Sequence, residues 1–281
     1  MSVTFSIITV TLNAGAELQN TAESLSNQTC RDFEHIIKDG GSTDGSLESC
    51  RDGSLSYNPI IFAKEDNGIY DAMNQALSYS TGKYVLFLNA GDLLVDNTVL
   101  EDLLPFTNNN NAPDIIYTDY VLRESSQRIV NPPFLSSFCL FRTMIHHQSC
   151  FIQRDSYARY GMFDTTFKVV ADYEFLLRLM IKNHAVAHYA PIISTEYMGG
   201  GFSEKDENIA CSLRDRQMLI RRYFSWPLRI FYEGIHALTF PSLRILLLRN
   251  PKLKGFRRFY TKCVNFMYCS QLKYGKKKRH S

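Results

Sequence analysis

Residues 84–92 read YVLFLNAGD, and this stretch decides the fold class. Its first five residues form a short apolar run that is typical of a buried strand, and the chain turns polar at Asn89. Gly91 leaves the backbone open to close approach, and Asp92 places a carboxylate just after the strand. Because ligands of open parallel α/β sheets bind at the carboxyl ends of strands, this stretch predicts a buried strand that ends in a functional acid.

Strands and helices alternate around this stretch. Apolar runs predict strands at 5–10, 33–37, 59–63 and 84–88, and helical spacing predicts helices at 16–28 and 69–79. Further along, the pattern predicts a strand at 114–122, antiparallel strands within 128–153, a helix at 171–182, strands at 185–197 and a helix at 203–223. The fold class is therefore α/β, with a mostly parallel central sheet and helices on both faces.

Three acids follow predicted strands at the same edge of the sheet: Asp39 after the second strand, Asp66 after the third and Asp92 after the fourth. Each of them alone could be a plain turn residue, since Asp is common in turns. The chain has neither the G-x-G-x-x-G pattern nor a Walker G-x-x-x-x-G-K-[ST] pattern. The remaining way for an acidic edge to bind phosphates is a divalent cation that bridges carboxylate and diphosphate oxygens.

The formal net charge of +3 conceals a division of the chain. No Asp or Glu follows Glu233, and residues 234–281 carry 12 of the 31 Lys and Arg. Aromatic residues and leucines are interleaved with these cations, which suits an amphipathic segment on an anionic membrane or, alternatively, a nucleic-acid patch. We favour the membrane and expect no nucleic acid. The predicted units are a domain at 1–223 and a basic amphipathic C-terminal segment at 224–281.

The cellular location is predicted from three features. The seven cysteines are scattered without a C-x-x-C pair, which favours a reducing compartment over a disulfide framework or a zinc site. The N-terminal run MSVTFSIITVTLN has no basic region or cleavage site, so no signal peptide is predicted. No stretch reaches the roughly 18 uninterrupted apolar residues of a membrane span. These features predict a cytoplasmic protein, peripheral on the inner face of the cytoplasmic membrane.

Five motifs occur in a fixed order: FSIITVTLN, HIIKDGGSTDGS, EDNGIYDAMNQAL, GKYVLFLNAGD and ADYEFLLRL. Together they resemble a family 2 glycosyltransferase with the GT-A fold, in particular the bacterial polysaccharide and colanic-acid-type branch. The resemblance spans about residues 3–200 and implies the nucleotide-diphospho-sugar transferase fold. The basic tail would add a helical appendage to it.

The resemblance implies a nucleotide-binding role for five residues. Thr9 and Thr11 lie at the end of the first strand, where the family contacts the nucleobase. Asp39 matches the first acid of D-D-G-S-T-D-G, which bonds uracil in the family. Asp66 and Gly68 match an N-x-G loop that lies near the base and the ribose. The resemblance thus implies a UDP-linked donor.

The resemblance also assigns the metal and the base. Asn89 and Asp92 take the outer positions of the family's D-A-D-D stretch, and its last acid is the metal ligand, so Asp92 is predicted to hold Mn²⁺ or Mg²⁺. Asn89 and Gly91 would lie against the nucleotide, and His147 would lie near the diphosphate or the acceptor. Asp172 matches the Asp of the family's E-D pair, which is the general base.

Four departures from the family pattern replace acids: Gly40, Asn89, Gly91 and Ala171. Asp92 is left as the only carboxylate of its motif, which predicts a modest cation affinity that depends largely on the bound donor. The missing acid at position 91 leaves the identity of the nucleotide less defined.

The predicted function is that of an inverting glycosyltransferase. It moves a sugar from a nucleotide-sugar, UDP-linked by the resemblance, to a lipid-linked or saccharide acceptor in cell-surface polysaccharide synthesis. Two other classes stay open. A nucleotidyltransferase would need a basic, glycine-rich phosphate loop after the first strand, which the residues at 11–13 do not supply. A non-catalytic nucleotide-sugar-binding protein at the membrane would keep Asp39 without using a base.

Overall fold

The strands predicted near the N-terminus form one half of a single sheet. The computed structural model describes residues 3–107, 112–201 and 206–238. The strands of this described part are β1 (Phe5–Thr11), β2 (Phe33–Asp39), β3 (Ile60–Ala63), β4 (Tyr84–Phe87), β5 (Leu93–Leu94), β6 (Ile115–Leu122), β7 (Gln127–Ile129), β8 (Cys150–Gln153) and β9 (Ala187–Tyr197). Their order across the sheet is β3-β2-β1-β4-β8-β6-β9-β5, with β7 paired to β6.

Parallel pairing brings the ends of the first strands to one edge. β1 pairs in parallel with β2 and β4, and β2 pairs in parallel with β3. In this register Thr11 lies opposite Asp39 and Asp39 lies opposite Ala63, so the loops after β1, β2 and β3 leave the sheet together. β8 joins β4 and β6 in the antiparallel direction, as predicted for the mixed region. The α/β class is confirmed.

Helices cover the sheet and connect its strands. They are α1 (Ala16–Ser26), α2 (Glu48–Arg51), α3 (Ile69–Leu77), α4 (Val99–Thr107), α5 (Ser137–Arg142), α6 (Arg154–Tyr160), α7 (Ala171–Leu177), α8 (Asp206–Tyr223) and α9 (Trp226–Leu238). His147–Ser149 form a 3₁₀ turn. The helix predicted at 171–182 is α-helical only over its first seven residues, and Arg178–Lys182 continue it as a π-helical turn.

Alternating residues of the central strands face two separate apolar layers. In β1, Ile8 packs in the layer that also holds Met73 of α3, whereas Ile7 packs in the layer that holds Leu100 and Leu103 of α4. All these side chains are almost completely buried. Because successive side chains of a strand point to opposite faces, the period of two places helices on both faces of the sheet. Full burial of each Leu or Ile is worth roughly 1.5–3 kcal/mol.

Some predictions fall on other parts of the chain. Residues 203–205, at the start of the helix predicted at 203–223, and the basic tail from residue 239 onward lie outside the described residues. Among the helices that the structure describes, none is both long and apolar enough to cross a membrane. Four cysteines of the described part are free thiols: Cys30, Cys50, Cys150 and Cys211.

Candidate active site

A cleft of about 360 Å³ opens where β4 ends, and it contains both acids that were predicted to carry the chemistry. Asp92 comes from the turn after β4, and Asp172 comes from the first turn of α7. Asn89 and His147 line the same cleft. Other lining residues come from α1, α3, α8 and the loop after β9: Glu17, Tyr70, Met73, Ser212 and 198–201. The fold thus gathers distant segments around what we call the main cleft.

A tight turn presents the end of β4 to the main cleft. Gly91 has φ of +98°, a left-handed conformation that favours glycine. Its N–H donates to the Thr21 hydroxyl of α1 at 2.9 Å, and its carbonyl accepts from the Arg123 guanidinium at 2.6 Å. A Cβ at position 91 would lie 2.4 Å from Met198 Sδ. Glycine is therefore required here both by the backbone and by the loop that packs on it.

Asp92 is a buried carboxylate that accepts a hydrogen bond from the backbone. Its Oδ1 accepts the backbone N–H of Met198 at 3.0 Å. Burial raises the pKa of Asp92 above its ordinary value, although Met198, His147, Gln148 and Arg123 oppose this effect. A nearby cation would oppose the effect of burial and favour the ionised form of Asp92.

A chain of hydrogen bonds crosses the main cleft from the β4 end to α7. Asn89 Nδ2 lies 3.1 Å from His147 Nε2, and His147 Nδ1 lies 3.2 Å from Asp172 Oδ2. With the amide of Asn89 as donor, Nε2 is the acceptor, and Nδ1 carries the proton that it donates to Asp172. Tyr70 completes the chain, because its hydroxyl lies 2.9 Å from Asp172 Oδ1 and 2.7 Å from the Val169 carbonyl, so that these two acceptors share its proton. The two predicted site halves are physically connected.

Asp172 is held in the ionised form. Burial acts to raise the pKa of its carboxyl, but hydrogen bonds from His147, Tyr70 and the Tyr173 N–H outweigh burial together and lower the pKa below its ordinary value. The helix that carries it is fixed by Glu174, which pairs with Arg178 at 2.7 Å and accepts from the Tyr223 hydroxyl. Glu174 therefore anchors α7 against α8.

A second cavity of about 550 Å³ adjoins the main cleft, and Ile69 and Tyr70 line both. It is lined by three of the predicted nucleotide residues: Thr11, Asp66 and Gly68. The Thr11 hydroxyl is buried and has no hydrogen-bond partner in the described part of the chain. The second cavity thus places Thr11, Asp66 and Gly68 next to the cleft that holds Asp92 and Asp172.

An ion pair lies beside this second cavity. Lys38 is fully buried and pairs with Asp66, whose other oxygen accepts the Gly68 N–H at 3.0 Å. A Cβ at Gly40 would lie 3.3 Å from Asp66 Oδ2. An acid at position 40, as in the D-D pattern of the family, would thus place a second carboxylate beside Asp66. With glycine at position 40, Asp66 pairs with Lys38 without a second carboxylate beside it.

Three predicted nucleotide residues, Thr9, Asp39 and Gly91, do not line either cavity. Thr9 is fully buried, donates to the Leu88 carbonyl at 2.7 Å and lies 2.9 Å from His35 Nε2. Asp39 caps its own loop, because its carboxylate accepts the N–H groups of Gly41 and Ser42 at 2.9–3.2 Å and the Ser42 hydroxyl. Thr9 and Asp39 thus stabilise the strand ends that lie near the second cavity.

The residues around Asp92 fit a hard divalent cation. Asn89 Oδ1 and Gln148 Oε1 are buried amide oxygens without a hydrogen-bond partner among the described residues, and both side chains line the main cleft. Oxygen ligands of this kind suit Mg²⁺ or Mn²⁺. The described residues contain no group of three or more His, Cys, Asp or Glu that could bind a metal by itself. The donor set thus fits a cation shared between Asp92 and a bound diphosphate.

Several residues of the site were not singled out for these roles from the sequence. The Met198 N–H contacts Asp92 from the loop after β9, and a backbone donor leaves no signal in a sequence. Arg123 ties the Gly91 carbonyl to Glu196 of β9, and Ser212 reaches the cleft from α8. The sequence predicts a helix at 203–223 but not that it reaches the cleft.

Comparison with known proteins identifies the class. The chain belongs to glycosyl transferase family 2, which matches residues 6–159. A "PGL/p-HBAD biosynthesis glycosyltransferase" of Mycobacterium tuberculosis is 33% identical over 195 residues, 69% of this chain and 76% of that protein. The "Minor teichoic acid biosynthesis protein GgaB" of Bacillus subtilis is 29% identical over 164 residues, 54% of this chain and 18% of that protein. This chain is therefore a glycosyltransferase.

Solved structures show the same fold. S. aureus TarS 1-349 in complex with UDP-GlcNAc has a TM-score of 0.64 at 15% identity, covering 94% of this chain and 81% of that chain. The mannosyltransferase PcManGT of Pyrobaculum calidifontis, in complex with GDP-Man and Mn²⁺, has a TM-score of 0.55 at 14% identity. The match covers 95% of this chain and 88% of that chain. The predicted GT-A fold is confirmed. The colanic-acid-type branch stays a prediction.

Proposed function

We propose that this glycosyltransferase transfers a sugar from a UDP-linked donor to a lipid-linked or saccharide acceptor in cell-surface polysaccharide synthesis. The transfer inverts the configuration of the anomeric carbon. The observation that carries the proposal is that Asp92 and Asp172 line one cleft. The nucleoside would occupy the second cavity against Thr11, Asp66 and Gly68. Its diphosphate would reach the main cleft past Tyr70, and Thr9 and Asp39 would support the strand ends from behind.

The proposed chemistry is a single displacement. The acceptor hydroxyl oxygen forms a bond to the anomeric carbon while the bond from that carbon to the diphosphate oxygen breaks. The acceptor proton passes to Asp172, and the electron pair of the broken bond leaves with the nucleoside diphosphate. The anomeric carbon resembles an oxocarbenium ion at the transition state. One displacement with one base inverts the anomeric configuration.

The neighbours of Asp172 make it suitable as the base. His147, Tyr70 and the Tyr173 N–H hold the carboxylate in place and ionised, so that it can accept a proton at neutral pH. Because Asn89 orients His147 from the other side, the position of the base is linked to the turn after β4. A cation bound at Asp92, if the donor brings one, would neutralise charge on the leaving diphosphate.

A panel of UDP-, GDP- and TDP-sugars with Mn²⁺ tests the proposal. We expect a UDP-sugar to give UDP release and, with a matching acceptor, a product of inverted anomeric configuration by NMR. Formation of UTP and sugar 1-phosphate when inorganic pyrophosphate is added to the UDP-sugar would instead indicate a nucleotidyltransferase. Binding of a UDP-sugar without any turnover would indicate a non-catalytic binding protein.

We also propose that residues 224–281 attach the domain at 1–223 to an anionic membrane at its cytoplasmic face. α9 packs on the domain through Tyr232 but exposes Trp226, Ile230 and Phe231 by 55–66%. The cation-rich sequence beyond Glu233 follows directly. An exposed aromatic face beside clustered cations suits a lipid interface.

The only tryptophan of the chain is a direct probe of this attachment. With phosphatidylglycerol vesicles, Trp226 fluorescence should shift to the blue and be quenched by brominated lipid. An unchanged spectrum at full vesicle saturation would contradict the membrane assignment.

A further inference from the structure

A cavity of about 530 Å³ on the side of α8 is surrounded by guanidinium groups. Four arginines line it, together with a single carboxylate, that of Glu233: Arg142, Arg216, Arg221 and Arg229. None of the four forms an ion pair with an acid of the described residues. We call it the arginine cavity. Its volume lies in the range of ligand pockets.

Packing of three helices creates the arginine cavity. Tyr232 of α9 contacts the rings of Phe138 and Phe141 in α5, which brings the end of α5, at Arg142, beside α9, which carries Arg229. α8 contributes the remaining two arginines. The cluster is therefore a product of tertiary structure, with members from three separate segments.

Two of these arginines have donors that the protein leaves unused. Arg142 Nε and Arg229 Nε are buried and have no hydrogen-bond partner in the described part of the chain. Arg142 ends α5, and Arg221 lies in the last turn of α8. The helix dipole stabilises a cation at either position. The dipole does not account for the buried Nε donors, because an unsatisfied buried donor is costly. A bound anion would satisfy them.

The arginine cavity lies close to the catalytic base. Arg216 stacks on the ring of Tyr173, with its guanidinium carbon 4.6 Å from the ring centroid, and Tyr173 directly follows Asp172. Ser212, one helical turn before Arg216 on α8, lines the main cleft. On its other side the cavity borders α9, whose exposed face is apolar. An amphiphilic molecule could thus place a phosphate here and extend in both directions.

We infer that the arginine cavity binds a phosphate or diphosphate group carried by a lipid, with the acceptor's own diphosphate as the occupant that its position favours. Arginine forks match phosphate oxygens in bidentate geometry. The lipid chain would lie along the apolar face of α9, and the sugar would reach Asp172. The inference rests on the proposed transfer to a lipid-linked acceptor.

The test compares binding of the full-length protein to three kinds of vesicle. Phosphatidylcholine vesicles carry a polyprenyl diphosphate, phosphatidylglycerol at equal charge, or neither, and binding is measured by co-sedimentation. The R142Q/R229Q variant removes the two unused donors. The R214Q/R222Q variant removes the same charge from exposed positions of α8 outside the cavity. Residues 234–281 are unchanged in both variants, so the contribution of the cation-rich sequence beyond Glu233 cancels.

We expect wild type to prefer the diphosphate vesicles, and R142Q/R229Q to bind them roughly tenfold or more weakly. R214Q/R222Q should keep the preference. Equal wild-type binding to both anionic vesicles, lost in R142Q/R229Q alone, would support the site with a phospholipid headgroup as its ligand. Equal losses in both variants, or no binding by wild type, would overturn the inference.

Two measurements keep this test decisive. R142K/R229K retains the charge without the planar fork and should bind more weakly than wild type; thermal melts of all variants identify any that fail to fold. UDP release from a UDP-sugar by wild type, without acceptor, tests the proposed function separately. If wild type binds the diphosphate vesicles through the arginines but hydrolyses no donor, the proposed function fails and the inference stands.

Discussion

The two carboxylates of the main cleft are the same kind of side chain in opposite electrostatic settings. Burial raises the pKa of Asp92, which shares its cleft with two amide oxygens that have no hydrogen-bond partner among the described residues. Asp172 is also buried, but three hydrogen-bond donors hold its pKa below the ordinary value. Paired acids with divergent environments take separate roles in catalysis. The β4 side is suited to a cation and a leaving group, and the α7 side is suited to proton transfer.

Asp172→Asn should have the largest effect, because it removes the proposed base from the α7 side. Transfer should fall about 10²–10⁴-fold. Binding of UDP, measured by thermal shift, should persist because the β4 side is intact. Asp155→Asn, an exposed acid on α6, is the matched control and should keep full activity. Comparable turnover in Asp172→Asn and wild type would remove Asp172 from the mechanism.

Asp92→Asn should have the next largest effect, about 10²–10³-fold on transfer, since the leaving diphosphate would lose its cation. The additional thermal stabilisation by Mn²⁺ in the presence of UDP should also disappear. In wild type this stabilisation should weaken as pH falls, because a raised pKa lets protons compete with the cation at Asp92. Unchanged Mn²⁺ stabilisation in the variant would assign the cation to another residue.

Gly91→Ala tests how much the turn after β4 contributes to the stability of the protein. The free energy of unfolding should fall by about 1–3 kcal/mol, because Ala is strained at φ of +98° and its Cβ meets Met198. Gly53→Ala is the control, with φ of +80° and open space around the added methyl. Urea denaturation should show the greater loss for position 91. Equal losses at the two glycines would mean that the Met198 contact has no energetic weight.

Tyr70→Phe should have the smallest effect on transfer, and it tests whether Tyr70 tunes the pKa of Asp172 on the α7 side. Loss of one hydrogen bond of about 1 kcal/mol lowers transfer roughly fivefold. The pKa of Asp172 should rise, so the acid limb of the pH–rate profile moves to higher pH. Tyr57→Phe removes a hydroxyl that bonds His35 outside the cleft and should leave the profile unchanged. An acid limb that stays in place would show that Tyr70 does not tune Asp172.

The sequence predicts the β4 side of the site better than the rest. Local patterns place Asp39 and Asp92 at strand ends, and the parallel register brings these ends together. Local patterns do not show which way a loop folds, so the cap at Asp39 and the burial of Thr9 required the structure. Contacts between distant segments, such as Met198 with Asp92, leave no periodic signal.

The arginine cavity illustrates the same limit. Arg142 and Arg229 look like ordinary helix cations in the sequence, and only the packing of α9 on α5 brings them together. The resemblance to the family did supply one non-local result. It placed Asp172 opposite Asp92 from ordered motifs, and the two acids do line one cleft.

A crystal structure of the protein with a UDP-sugar and Mn²⁺, with anomalous scattering used to locate the manganese, tests the central claim most directly. The account predicts an anomalous peak that joins Asp92 to the diphosphate, with the anomeric carbon facing the open side toward Asp172. A peak away from Asp92, or a donor sugar that points away from Asp172, would contradict it.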